Sequence, residues 1–135
     1  MMTSESTDPG AFGVLEESEC YALLHEGVIG RIAFTGPRLM VLPITYTWID
    51  GRIVFRTSPA SSLANLIGQD VVFELDDLDI ETGVGWSLVV EGRVENCEPE
   101  LAAELRPWAS GERSLALAIR PRSVSGRTVS RPEGV

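Results

Sequence analysis

Apolar residues recur along this chain in two different periods, and the change of period predicts one helix followed by a sheet. Leu23 and Leu24 are expected to face inward from the segment Glu17–Glu26, which begins after Glu16 and ends before Gly27. Glu19 stands three residues after Glu16, as in a capping box, and Gly27 is a typical helix terminator. We therefore predict a helix over Glu17–Glu26, preceded by a loose arm at residues 1–13.

From Ile29 onward, short apolar runs bounded by turn residues predict strands. The runs are Ile29–Phe34, Leu39–Trp48, Ile53–Arg56, Val71–Leu75, Trp86–Asn96 and a last strand carrying Leu115, Leu117 and Ile119. Asp50-Gly51 predicts a tight hairpin, because both turn residues need positive φ. Pro43 cannot donate to a neighbouring strand, so the second strand is predicted to lie at an edge or to carry a bulge.

Ser58, Pro59 and Gly68 predict a short helix directly after the third strand, with Ser58 as cap, Pro59 as first residue and Gly68 as terminator. Pro99–Leu105 predicts another short helix, and the chain from Thr128 onward is predicted to be loose. Together these elements predict a mainly β (α+β) fold, a six-stranded antiparallel barrel with two or three short peripheral helices. We place the domain at residues 14–128, between the arm and a flexible tail at 129–135.

Charge and composition exclude several classes of function. The chain has 135 residues, 44% of them hydrophobic, enough for one domain with a core. Twenty acidic residues against 11 basic ones give a net charge of −9, which argues against nucleic acid as a partner. No apolar run approaches the roughly 20 residues of a membrane helix, and the first 13 residues lack a secretory pattern. We expect a cytoplasmic protein that does not bind membranes.

The sequence gives little support to several kinds of catalytic chemistry. All 11 basic residues are arginine, so a lysine Schiff base is excluded. Cys20 and Cys97 are expected to pack, and their spacing does not indicate a disulfide framework or a zinc site. His25 would interact with the helix dipole rather than act in catalysis. The acidic run at 74–81 is predicted to be a solvated strand end and loop, with a magnesium site as the alternative.

The segment after the third strand is the strongest candidate site. A helix start offers unpaired N–H groups to a phosphate, and hydroxyls and a guanidinium surround it. These residues are Arg56, Thr57, Ser58, Ser61 and Ser62. The alternative is that Ser58 only caps the helix and the other serines are solvated.

The order and spacing of several motifs resemble one known family. They are Gly30-Arg31-Ile32-Ala33, Leu42-Pro43-Ile44-Thr45-Tyr46, Asp50-Gly51-Arg52-Ile53-Val54-Phe55-Arg56-Thr57, Gly85-Trp86-Ser87, Val90-Glu91-Gly92 and Ser125-Gly126-Arg127. Over residues 15–129 the chain is similar to the pyridoxamine 5′-phosphate oxidase-like flavoproteins, in particular to an actinobacterial branch. The resemblance implies a split β-barrel that binds FMN, and a homodimer with the flavin at the subunit interface.

The resemblance also implies a role for individual residues. Pro43, Ile44, Thr45 and Tyr46 would line the isoalloxazine ring. The Arg56–Ser62 residues above would surround the phosphate, and Trp86 and Ser87 would approach the flavin from the barrel or from the partner subunit. Ser62 stands where relatives commonly carry a basic residue, so a charged phosphate contact is lost there unless Arg56 compensates.

The function implied is that of an FMN-dependent oxidoreductase acting on a small-molecule redox substrate. Bound FMN would supply the hydride chemistry, which agrees with a chain that shows no catalytic triad or metal set. Pyridoxamine-phosphate oxidase activity itself is not expected, because the chain is short and lacks the family's C-terminal substrate-binding segment. The alternative is a non-catalytic or degenerate split-barrel protein that binds F420, haem or another ligand. The substrate, the electron donor, the choice between FMN and F420, and the role of Arg127 stay open.

Overall fold

The computed structural model describes residues 11–103, 105 and 113–132, which form one antiparallel sheet and a single α-helix. The eight strands are β1 (Ala11–Val14), β2 (Ile29–Thr35), β3 (Leu39–Thr45), β4 (Thr47–Ile49), β5 (Arg52–Thr57), β6 (Asp70–Asp79), β7 (Val84–Asn96) and β8 (Leu115–Ser130). The helix, α1, spans Glu17–Glu26. In the part of the chain that the structure describes, no helix is long and apolar enough to span a membrane.

Helix α1 has the bounds that its capping residues predict. Glu16 and Glu19 form a reciprocal capping box, in which the Glu16 N–H donates to Glu19 Oε1 at 2.8 Å. Cys20 and Leu24 are fully buried, so the inner face of α1 closes over one side of the sheet.

The strand order β3-β2-β6-β7-β8-β5-β4 makes the sheet curl into a split barrel. β3 and β4 lie at opposite edges of the sheet, yet a single residue, Tyr46, separates them in sequence. The chain therefore steps from one edge to the other at Tyr46, whose N–H donates to the Val28 carbonyl at 3.0 Å. This step closes one end of the barrel and leaves a gap between β3 and β5 beyond it.

The barrel interior forms the main hydrophobic core. Its largest fully buried side chains include Phe55, Phe73, Ile32 and Leu88, which come from four different strands. A smaller cluster of Val54, Ala102, Ala116 and Ala118 lies elsewhere, so β5 is covered on both faces.

Several predicted features are confirmed. The fold is an antiparallel split barrel, and Asp50 and Gly51 form the hairpin turn with φ of 56° and 72°. β3 is an edge strand that pairs with β2 alone, as Pro43 predicted.

Other predictions are corrected. The described residues contain eight strands rather than six, because the second predicted strand breaks at Tyr46 and Ala11–Val14 pairs with β8. β1 thus includes the last three residues of the predicted arm, whose other residues lie outside the described part. The predicted flexible tail begins inside β8, which runs to Ser130 against both β1 and β7.

The two short helices predicted after β5 and β7 are only 3₁₀ turns, at Ser62–Asn65 and Pro99–Ala102. Ser58 does not cap a helix: its hydroxyl accepts from the Ala60 N–H at 3.1 Å within a turn. Ser61 has extended backbone and accepts from Leu63 N–H at 3.0 Å, so an α-helix cannot run through it. The segment ends at Gly68, which has a positive φ of 85°.

Candidate functional site

A cavity of about 430 Å³ lies at the gap between β3 and β5. β2 and β3 contribute an almost entirely apolar wall, and β5, the turn after it and Arg113, just before β8, contribute a more polar one. The lining residues are Ile29, Leu42, Pro43, Ile44, Thr45, Arg56, Thr57, Ser61, Leu63 and Arg113.

The structure brings six of the eleven predicted site residues to this cavity. Pro43, Ile44 and Thr45 come from the end of β3, and three more come from the end of β5 and the turn that follows: Arg56, Thr57 and Ser61. Two segments predicted separately, for a flavin ring and for a phosphate, therefore face one space. Their roles in cofactor binding stay predictions.

Thr57 provides a buried polar atom in the cavity wall. Its side chain is 0% exposed, and its hydroxyl has no hydrogen-bond partner among the residues that the structure describes. Most buried polar groups in proteins are hydrogen-bonded, and an unpaired hydroxyl costs stability. Such a cost is common at binding sites.

Arg56 is held by backbone carbonyls. Its Nε donates to the carbonyl of Arg113 at 2.9 Å, and its Nη1 donates to the carbonyl of Leu105 at 3.0 Å. The Arg56 guanidinium thus joins the end of β5 to two points on the chain between the second 3₁₀ turn and β8.

Arg113 lines the cavity and was missed by sequence reasoning. Leu115, the first residue of β8, pairs with Thr57, the last residue of β5. Arg113 precedes Leu115 by two residues and therefore lies beyond the paired end of β5, beside the turn that carries Ser61. Because Arg113 is 57 residues away from Arg56 in sequence, only knowledge of the β5–β8 register could have placed it here.

Tyr46 does not line the cavity, although sequence reasoning placed it at the flavin ring. Its hydroxyl donates to the Leu24 carbonyl at 2.7 Å, and its ring meets Phe73 edge-on with centroids 5.0 Å apart. Burial raises the pKa of Tyr46 well above its ordinary value. The side chain therefore belongs to the core.

Ser58 and Ser62 do not line this cavity either. Ser58 is occupied in its turn, and Ser62 is exposed at the first residue of the 3₁₀ turn. The position where relatives commonly carry a basic residue is thus not part of the cavity wall in this chain.

Trp86 and Ser87 lie apart from the β3–β5 cavity. Trp86 lines a separate cavity of about 250 Å³ beside α1, together with Leu23, Gly27, Asp76 and others. Ser87 lies between Asp76 and Arg127 in the register of β6, β7 and β8. In this single chain, the structure does not bring either residue to the predicted site.

The surroundings of the remaining candidate residues do not indicate a catalytic or metal-binding role. Burial raises the pKa of the Cys20 and Cys97 thiols, and His25 is exposed in the last turn of α1. Within the described ranges, no three His, Cys, Asp or Glu side chains are grouped to hold a metal ion. Trp48 packs on Tyr21 with ring centroids 5.6 Å apart, and Trp108 lies outside the described residues.

The acidic run lies at the end of β6 and in the turn that follows it, as predicted for a strand end and loop. Arg31 on β2 pairs with Glu74 at 2.6 Å and with Asp76 at 2.8 Å. Burial raises the pKa of Glu74, whereas hydrogen bonds with Glu74 and Arg31 lower the pKa of Asp76. The run thus contributes to the pairing of β2 with β6.

Comparison with known proteins identifies the family. A protein of Mycobacterium tuberculosis, the uncharacterized protein Rv0080, is 32% identical over 124 residues, which cover 83% of this chain and 82% of the relative. Among solved structures, the FAD binding protein from Mycobacterium smegmatis matches with a TM-score of 0.69 and 27% identity, over 87% of this chain and 98% of that one. A conserved protein of unknown function from Corynebacterium diphtheriae matches with a TM-score of 0.68 and 27% identity, over 89% and 98%. The sequence profile of pyridoxamine 5′-phosphate oxidase matches residues 16–128. The chain therefore belongs to the pyridoxamine 5′-phosphate oxidase family.

Proposed function

We propose that this protein binds FMN in the β3–β5 cavity and acts as a flavin-dependent oxidoreductase. The observation that carries the proposal is the composition of the two walls: an apolar wall that suits a flat aromatic ring faces a wall with two guanidinium groups and two hydroxyls that suit a phosphate. A similar protein from Mycobacterium smegmatis is described as FAD binding, which supports a flavin as the ligand.

The residues present fit the chemistry of a flavin nucleotide. Ile29, Leu42 and Pro43 offer apolar contact for a ring system, and Thr45 adds a hydroxyl beside them. Arg113 and Ser61, on the other wall, offer hydrogen-bond donors to an anion. Bound flavin supplies the hydride or electron transfer, and the residues of this chain bind and orient it.

The first test is whether purified protein retains FMN. We expect the near-ultraviolet and visible absorption of flavin to remain with the protein after FMN is added and the sample is desalted. FAD is tested in parallel because a similar protein is described as FAD binding, and F420 because the sequence leaves the choice between FMN and F420 open.

A matched pair of variants locates the ligand. Leu42 and Met40 are half-buried, two residues apart on the same face of β3, but only Leu42 lines the cavity. A larger side chain is expected to cost stability by overpacking at either position, so the Met40 variant controls for that loss. We expect Leu42→Trp to lose FMN and Met40→Trp to retain it. Equal retention by both variants would place the ligand elsewhere.

The oxidoreductase part of the proposal is tested separately. Anaerobic addition of NADH or NADPH to the FMN-loaded protein should bleach the flavin absorption, and a suitable acceptor should restore it. FMN that binds but accepts no electrons from these or other donors would favour the alternative of a non-catalytic binding protein.

The proposal includes a homodimer that covers the cavity. β3 is an edge strand whose outer face exposes Leu39, Val41 and Pro43, with Val41 59% exposed, and Ile29 on β2 is 40% exposed. Ile29 and Pro43 also line the cavity, so the exposed apolar surface continues into it. A second copy seated there would bury this surface and enclose the flavin.

Light scattering tests the homodimer. We expect a dimer mass for the wild type, and for Val41→Glu a monomer with lowered FMN affinity. A monomeric wild type that binds FMN normally would refute this part of the proposal.

A further inference from the structure

A second cavity, of about 250 Å³, lies where the end of α1 meets β6 and β7, and we call it the α1–β7 cavity. Its wall is partly apolar and partly acidic. Ile29 lines this cavity as well as the β3–β5 cavity, so the two spaces are neighbours. The lining residues that matter here are Leu23, Leu75, Trp86, Glu26, Asp76 and Asp77.

The charged residues among those lining the α1–β7 cavity are all carboxylates. Asp76 pairs with Arg31 at 2.8 Å, but the same guanidinium also pairs with Glu74, so it does not neutralise both carboxylates. Among the described residues, neither Glu26 nor Asp77 forms an ion pair. A cavity with fixed charge of one sign raises the local concentration of its counter-ion, here a cation.

Glu26 is placed where its charge is unfavourable. It is the last residue of α1, and a negative charge there faces the negative end of the helix dipole. Two further carboxylates share the same cavity wall and repel it. Residues that cost stability in this way are often retained for function, and a bound cation would offset the cost.

Trp86 gives the cavity an aromatic wall. It is half-buried, and among the described residues its ring stacks on no other aromatic ring, whereas Trp48 packs on Tyr21. The face of an indole attracts a cation more strongly than that of any other aromatic side chain. Leu23 and Leu75 add apolar contact beside it.

This combination distinguishes an organic cation from a metal ion. Within the described ranges, no three His, Cys, Asp or Glu side chains are grouped to hold a metal. Carboxylates next to an indole and leucine side chains suit an ammonium group that is carried on an apolar body, because each part of such a ligand finds a matching wall.

We propose that the α1–β7 cavity binds a small organic cation, with its ammonium group between the carboxylates and Trp86 and its apolar body against Leu23 and Leu75. The proposal goes beyond the flavin site, and its test needs no flavin, so either proposal can fail without the other. Because Ile29 lines both cavities, the cation would lie beside the proposed flavin site.

The probe is benzylammonium, and the control ligand is benzyl alcohol, which has the same ring and no charge. Calorimetric titration at low ionic strength measures both affinities, since salt screens exposed charges. We expect benzylammonium to bind at least about tenfold more tightly than benzyl alcohol. Equal affinities, or no binding of benzylammonium at millimolar concentrations, would overturn the proposal. Displacement of benzylammonium by an equal concentration of Mg²⁺ would also overturn it, because it would indicate a merely acidic surface.

A matched pair of substitutions on α1 locates the binding site. Glu26→Gln removes a charge from the cavity wall, and Glu17→Gln removes the same charge from the first turn of the helix, outside the cavity. We expect Glu26→Gln to weaken benzylammonium binding about 2- to 5-fold, the range for an exposed ion pair, and Glu17→Gln to leave it unchanged. Equal losses in the two variants would refute a localised site.

The stability of the ligand-free variants gives a second measurement. Since Glu26 opposes the helix dipole, Glu26→Gln should raise the melting temperature while it lowers cation affinity. A lower melting temperature would show that this carboxylate stabilises the fold and would overturn its role in ligand binding. Trp86→Leu keeps an apolar wall and removes the indole face, so it should weaken benzylammonium and leave benzyl alcohol binding nearly unchanged. Equal weakening of both ligands would refute the contact between the cation and Trp86.

Discussion

Tyr46 lies where the chain passes from one sheet edge to the other, and its hydroxyl bonds to the end of α1. Removing this hydroxyl is predicted to lower stability without changing flavin affinity. The last carbonyls of a helix have no partner within it. Leu24 lies in the last turn of α1, and its carbonyl accepts from the Tyr46 hydroxyl at 2.7 Å. Gly27 makes room for this contact, because a Cβ there would overlap the same hydroxyl.

Tyr46→Phe removes the hydroxyl and keeps the ring on Phe73. The lost hydrogen bond is worth about 0.5–1.5 kcal/mol, and a buried carbonyl left unpaired raises the total cost to about 1–3 kcal/mol. For a domain of this size, each kcal/mol lowers the melting temperature by roughly 4 °C. Because Tyr46 does not line the β3–β5 cavity, FMN affinity should not change.

Thermal and urea denaturation measure the loss of stability, and a flavin titration measures affinity. Tyr21→Phe is the matched control: Tyr21 is half-buried against Trp48, and removing its hydroxyl should change stability by less than about 0.5 kcal/mol. An unchanged stability in Tyr46→Phe together with weaker FMN binding would refute this reasoning. It would favour the ring contact that the family resemblance implies.

Three further substitutions test a buried hydroxyl, an ion-paired carboxylate and a tightly packed glycine. Thr57→Val should raise the stability of the ligand-free protein by about 1 kcal/mol in urea denaturation, because it removes an unpaired buried hydroxyl; a loss of stability would mean that the hydroxyl is paired. Hydrogen bonds from Arg120 and Arg52 hold the pKa of Glu95 below its usual value, so the stability that Glu95 contributes is present above pH 4.5 and lost as the pH falls through the lowered pKa. Glu95→Gln should therefore flatten the acid limb of a stability–pH profile, and an unchanged limb would contradict this. Gly30→Ala should lower the free energy of unfolding by about 1–3 kcal/mol, because the new Cβ would overlap the Phe73 ring, and an unchanged free energy of unfolding would show that the ring moves at little cost.

Features that depend on neighbouring residues were predictable from the sequence. The bounds of α1 follow from Glu16, Glu19 and Gly27, and the hairpin after β4 follows from Asp50-Gly51. The interactions that fix these elements span at most four residues, so a single sequence contains what is needed to infer them.

The predicted helix after β5 shows where local signals fail. Ser58, Pro59 and Gly68 are each compatible with a helix start and stop, but Ser58 and Ser61 use their hydroxyls within successive turns instead. Serine side chains compete with helical hydrogen bonding in this way. The phosphate site inferred from a helix start thus lacks its helix, although Arg56, Thr57 and Ser61 still line the cavity.

For the site itself, the sequence predicted residues only in the segments that resemble the family. One group of site residues lies at the end of β3, just before the step at Tyr46: Pro43, Ile44 and Thr45. The other group lies at the end of the hairpin that follows and in the turn after it: Arg56, Thr57 and Ser61. The two groups meet because the chain crosses from one sheet edge to the other at Tyr46. Arg113 reaches the cavity from the residues just before β8, the strand next to β5, and the local sequence carries no signal for this β5–β8 register. The absence of a basic residue at Ser62 therefore does not decide the charge of the cavity. Part of that charge comes from long-range pairing, which places Arg113, two residues before β8, in the same cavity wall as Ser61.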